Sequence, residues 1–315
     1  MRGAALLPAD TFGMAAFRVT YDAVLVEETV LLAERRLERA DRVQFRLERD
    51  RVYEAAAGDE REARFEELHG RWFLRLWLDR PLHQALSEQP ALMRRTRGCR
   101  VGPARSAWDE MADLQVAGAE PGSSATILIR LRPESFFDPD RLAGLLRREL
   151  EHVADMTDPA FGYRRELPAS DAGPAHENLL RDRYRAVWDA TVDGRLFRRG
   201  LLGEAAREAC RAEFARAFPM LEPTMEEHFS RWFDGPGPTH GAIAAFVLDP
   251  PGADGGAAGR CPICSFPTSR LDPHPERIPT AALAELRKAH PRWRPAQGLC
   301  VQCSEIYIAH QTPLG

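Results

Sequence analysis

Apolar residues recur at three- and four-residue spacing through two long stretches of the N-terminal third. These are YDAVLVEETVLLAERRLERADRV at 21–43 and DEREARFEELHGRWFLRLWLDR at 59–80, and the spacing predicts amphipathic helices. In the second, Phe65, Leu68, Trp72 and Leu76 fall on one stripe, which assigns these residues to the core rather than to a ligand site. RRTRGCRVGPARS at 94–106 reads as a basic loop or strand pair. The period then changes. In ATILIRLR at 125–132, Ile127, Ile129 and Leu131 alternate with other residues, as on one face of a strand. FFDPDRLAG follows, with Asp138 as N-cap and Pro139 at the first helical position. That helix should run to about Met156 and stop before Pro159, because the residue ahead of a proline avoids the helical region.

Further along, Leu180, Tyr184, Val187, Trp188 and Thr191 predict one face of a helix over 176–193, with Gly194 as its stop. Helices are expected near 202–217, 224–233 and 239–248. Cys210 lies on the stripe Leu202, Ala206, Cys210, Phe214 and reads as a small buried hydrophobe, whereas Cys99 has no partner in sequence. PPGADGGAAGR at 250–260 has the composition of a linker. TAALAELRKAH at 280–290 predicts a short helix capped by Thr280. The expected layout is a mostly helical α+β protein. It has a helical N-terminal part at 1–120, a core of strand plus long helix at 121–249, the linker, and a small module at 261–315.

Composition narrows the class. Of 315 residues, 44% are hydrophobic and 29% charged, the balance of a soluble globular chain. No apolar run reaches the roughly 18–20 residues that a membrane helix needs. The opening MRGAALLPADTFGMAAF has an apolar core only from Ala5 to Leu7, broken by Pro8 and Asp10, too weak for a secretory signal, so a cytoplasmic protein is expected. With 43 basic and 47 acidic side chains the net charge is −4, and no global field draws the chain to nucleic acid or anionic lipid.

Four of the six cysteines form two C-x-x-C pairs, Cys261 with Cys264 and Cys300 with Cys303. Each pair turns tightly enough to put two thiolates on one ion, and two pairs complete the tetrahedral Cys₄ set of structural zinc. A closed shell leaves no position for water or substrate, so this zinc holds a fold rather than catalyses. A redox C-x-x-C would want a thioredoxin-like βαβ setting, and a disulfide pair an oxidising compartment. The module resembles a zinc ribbon or knuckle with an inserted helix. Its surface carries Arg287, Lys288, Arg292, Trp293 and Arg294. Packing of Trp293 on the module is favoured there over a nucleic-acid or protein contact.

The helix after Pro139 carries a second motif. Residues 148–152 read Arg-Glu-Leu-Glu-His, four of the five positions of H-E-x-x-H, and the continuation runs to Asp158. Over residues 125–163 the chain resembles the zincin metallopeptidases, in the branch written H-E-x-x-H-x-x-G-x-x-D. The resemblance implies Glu149 as general base, His152 as second zinc ligand and Asp158 as third. Two positions depart from it: Asp155 stands for the glycine and Arg148 for the first ligand. Arginine stays protonated and has no lone pair to give, so the implied enzyme is catalytically degenerate.

On a wheel of about 100° per residue with Leu142 at zero, Glu149 lies at about 340°, within the arc spanned by Leu145, Leu146, Leu150, Val153 and Met156. A carboxylate there needs a partner. It either belongs to a structural network, paired by an arginine or a tryptophan N–H from a neighbouring helix with Arg148 bridging Glu151 or Asp155, or it is inherited from an active-site face that has lost a ligand. Asp189 and Asp193, Tyr163, and His176 with Glu177 are weaker candidates, and no phosphate loop or nucleophile elbow is apparent. Two functions follow as expectations. One is a degenerate metallopeptidase-like protein that retains peptide binding beside an edge strand. The other is a non-enzymatic zinc-binding scaffold that recruits a protein or nucleic acid.

Overall fold

The computed structural model describes residues 4–5, 17–55, 57–116, 125–166, 174–251, 261–264, 271–272 and 278–309. It is mostly helical with a small mixed sheet, the α+β class, and divides into two units, residues 1–159 and 160–315.

The first unit runs β1 (Ala4–Ala5), β2 (Arg18–Asp22), α1 (Ala23–Glu34), α2 (Arg39–Ala55), α3 (Gly58–Arg75), α4 (Arg80–Ser87), α5 (Pro90–Arg95), β3 (Gly98–Pro103), β4 (Met111–Val116), β5 (Ala125–Leu131) and α6 (Pro139–Thr157). Its sheet has the order β1-β2-β3-β5-β4. The inner strands β2, β3 and β5 are parallel, and the edges β1 and β4 are antiparallel to their neighbours. Strand alternation sends Tyr21, Cys99, Val101, Ile127, Ile129 and Leu131 into one core with Leu25, Val30, Leu68, Phe73, Leu142, Leu146 and Leu150, while Arg100 and Arg130 face out. Strand β5 and helix α6 therefore share a core with the helices that precede residue 120. Of the predicted stripe, Leu68 and Trp72 on α3 are buried, Phe65 and Leu76 are partly buried against the same core with Leu76 just past the helix, and the indole N–H of Trp72 is satisfied by Glu48 at 3.0 Å. Asp138 caps α6 by accepting the N–H of Arg141 at 3.1 Å, with Pro139 opening the helix.

The second unit contains α7 (Pro174–Arg198), α8 (Glu204–Ala217), α9 (Met225–Phe233), α10 (His240–Leu248), β6 (Leu271–Asp272), α11 (Thr280–Ala289), β7 (Leu299–Cys300) and α12 (Val301–Ala309). Helices α8 to α10 fall where the periodicity places them, and Cys210 is buried as expected. Helix α7 differs: it passes through Gly194 and ends four residues later. A Cβ at Gly194 would lie 1.8 Å from the carbonyl oxygen of Phe233, so this glycine lets α9 approach α7 rather than ending it. Gly200, with φ +70°, is the glycine in the left-handed conformation just past the helix. The cap of α11 is Pro279, with Thr280 as its first residue. Most of the expected linker, residues 252–260, lies outside the described residues. No helix among the described residues is long and apolar enough to cross a membrane.

Candidate metal centre

Cys261 and Cys264 lie in a turn, Cys300 ends the short strand β7, and Cys303 stands in the first turn of α12. Strand β7 pairs with β6 through Leu271 opposite Cys300 and Asp272 opposite Leu299, which fixes the second C-x-x-C at the foot of the helix. All four cysteines are buried and free, and their sulfurs lie within 4.8 Å of one another. The Cys261 to Cys303 separation is 4.0 Å and the Cys264 to Cys300 separation 3.8 Å. Four thiolates at about 2.3 Å from a tetrahedral zinc stand roughly 3.8 Å apart, so the donor set and its spacing fit that ion. The same separations are far from the roughly 2.05 Å of a disulfide.

The backbone points toward the sulfurs. The N–H of Cys300 donates to Cys261 Sγ at 3.3 Å, and that of Cys303 to Cys300 Sγ at 3.5 Å. Cys300 thus occupies the place of an N-cap side chain on α12, with a sulfur as acceptor. Hydrogen bonding among the crowded thiols holds Cys261 far below the ordinary thiol range and pushes Cys303 far above it. A divalent cation that takes all four as thiolates removes this conflict. Trp293 is buried, its indole N–H donating to the carbonyl of Gly298 at 2.9 Å, while Arg287, Lys288, Arg292 and Arg294 are exposed. The tryptophan therefore serves as packing, as its favoured reading has it.

The Arg-Glu-Leu-Glu-His helix is positioned differently. Glu149 is half-buried, and its Oε2 accepts the backbone N–H of Ala112 at 2.9 Å. Ala112 belongs to the edge strand β4. Two residues on, the N–H of Leu114 is taken by the carboxylate of Asp113 at 2.7 Å. Alternate amides of a strand point the same way, so both bonds cap the side of β4 that faces away from β5. Glu151 and His152 are both buried. Glu151 lies opposite the apolar stripe, yet α4 and α5 cover that side of α6, and Gln89 donates to it at 2.6 Å. Asp158, just past the helix, pairs with Arg95 at 3.2 Å. Among the described residues the four cysteines are the one group of three or more potential ligands gathered around a single point. Glu149, His152 and Asp158 are not gathered in this way.

Of the other candidates, the His176 side chain lies outside the described residues, and Glu177 is half-buried and pairs with Arg181 at 3.5 Å. In the second unit Tyr163 stacks on Trp188, with ring centroids 5.6 Å apart. On α7, Asp193 is buried and Asp189 half-buried.

Sequence reasoning missed two polar centres. Glu110, immediately before β4, is buried and accepts from the Arg132 N–H at 3.0 Å, from Arg141 at 2.8 Å and from the Ser135 hydroxyl. Burial alone would raise its pKa, but the bonds from Ser135, Arg141 and the Arg132 amide outweigh it and hold the carboxyl below the usual glutamate range. The other is Arg183 on α7, buried beside the cysteine cluster. Neither shows in a periodicity, because the hydrogen-bond partners of each come from other parts of its unit.

No protein family matches the chain, and neither a curated protein nor a solved structure matches it.

Proposed function

We propose that this chain is a zinc-binding scaffold without peptidase activity, with one zinc ion held by Cys261, Cys264, Cys300 and Cys303 to stabilise its second unit. The observation that carries the reading is the closed set of four buried sulfurs at tetrahedral spacing. Such a centre has no open position for substrate, so its contribution is to folding. In the first unit the side chains that resemble a zincin site have structural partners. Glu149 holds an edge amide and Asp158 holds Arg95, while Arg148 brings a cation to the first ligand position. Peptide addition along β4 is disfavoured, because two of its outward amides already have carboxylate acceptors. Recruitment of a protein or nucleic acid would then fall to the exposed basic side chains of the zinc module.

The test is the metal content of the full chain by plasma emission spectrometry, together with hydrolysis of an unstructured protein substrate. One zinc per chain and no hydrolysis is expected. A second tightly held zinc, or zinc-dependent cleavage abolished by Glu149→Gln, would overturn the scaffold reading in favour of a metallopeptidase.

A further inference from the structure

Arg183 is only 1% exposed, although arginine is among the residues least often buried. It projects from α7, and its Nε donates to the carbonyl of Ala217 at 3.0 Å, at the C-terminal end of α8. That end gathers unsatisfied carbonyls and carries the negative pole of the helix, a favourable seat for a cation. Its Nη2 reaches Met220 Sδ at 4.0 Å, and its Cζ stands 5.6 Å from the Phe218 ring. The same Nη2 donates to Oε1 of Gln302 at 3.1 Å. Gln302 lies between the two cysteines of Cys300-Val301-Gln302-Cys303. A buried guanidinium from the helical part of the unit thus grips the middle of a metal-binding turn.

Electrostatics runs in the same direction. Burial lowers the Arg183 pKa to about 10, and the sulfurs of Cys300 and Cys264 act against that fall by favouring the charged form. A zinc ion with four thiolates carries two net negative charges. In a buried setting, charge beside the sulfurs and hydrogen bonds that fix the ligand turn both affect how tightly the metal is held.

We propose that Arg183 is the outer counter-charge of the Cys₄ centre, coupling zinc binding to the α7–α8 corner through Gln302. Arg183 does not ligate the metal: it acts through the thiolates and through the turn that presents them. Filling the centre would then hold α12 against the end of α8, and loss of the arginine would loosen both. This rests on zinc occupying the four cysteines, the reading proposed above.

The experiment is competition for zinc between the full-length chain and a chromophoric chelator, with thermal melts of metal-free and zinc-loaded protein. Arg183→Met should weaken zinc binding roughly 10–100-fold, with Arg183→Lys intermediate because it keeps the charge but loses the forked donor. Gln302→Leu leaves the arginine and all four cysteines in place. It should weaken binding by roughly tenfold, and it provides the test if Arg183→Met does not fold. If wild-type protein binds no zinc, the parent reading fails. If wild-type protein binds zinc and folded Arg183→Met or Gln302→Leu binds it equally tightly, the coupling is overturned even where melting temperatures fall.

Discussion

Glu149 accepts the backbone N–H of Ala112 at 2.9 Å, so one side chain of α6 closes part of the open edge of the sheet. An exposed edge strand is a template for pairing with another chain, and a carboxylate on its outward amide removes that opportunity. Asp113 does the same for Leu114. The acidic residue that looks misplaced on the helical wheel is therefore matched to a donor that β5 leaves over.

Glu149→Ala should destabilise the first unit by about 1–3 kcal/mol, because it leaves a partly buried amide without its acceptor. Glu149→Gln should cost less, since the amide oxygen can still accept. Urea denaturation of both variants checks the order. If Glu149→Ala matches wild type in midpoint, the contact has no stabilising role.

On the proposed zinc reading, replacing Cys264 or Cys300 by serine should abolish metal binding and unfold the small module, because a structural zinc contributes its binding free energy to folding. Chelation of the wild-type protein should have the same effect and be reversed by added zinc. Far-UV circular dichroism with and without chelator reads both, and an unchanged spectrum and melting curve after metal removal would contradict the structural role.

Much of this architecture was legible in the chain because local rules govern it. The stripe Leu68 and Trp72, the alternation Ile127, Ile129, Leu131, and the Asp138-Pro139 helix start each specify an element without outside help. The two C-x-x-C pairs specify a ligand set in the same way, and the structure gathers all four sulfurs. What was hidden depends on residues far away in sequence. Glu151 lies on the polar side of α6 and is buried only because α4 and α5 cover it. Gly194 has the sequence signature of a helix stop, but its role is set by Phe233 on another helix. Arg183 looks like one more surface arginine until Ala217 and Gln302 close over it.

Gly194→Ala should be far more disruptive than a usual helical glycine replacement. In an open helix the change is favourable by up to about 1 kcal/mol. Here the added methyl would meet the Phe233 carbonyl at 1.8 Å, and backbone cannot swing aside as a flexible side chain can. The expected loss is about 3 kcal/mol or more, the upper end for overpacking. A thermal melt that matches or exceeds wild type would show that α7 and α9 separate at no cost.

Glu110 should govern part of the acid sensitivity of the first unit. Its folded-state pKa lies below the ordinary value of 4.5, held down by Ser135, Arg141 and the Arg132 amide against the opposing effect of burial. For a depressed carboxyl the unfolded chain takes up the proton first. The stabilisation is therefore complete above the unfolded value, declines as pH falls through it, and is gone below the folded value. Glu110→Gln removes this titration and leaves Arg141 without its carboxylate, so the variant should be less stable at neutral pH. It should also lose less stability than wild type between pH 6 and pH 3. Urea midpoints measured across that range provide the check: parallel pH profiles for the two proteins would mean that the acid response originates elsewhere.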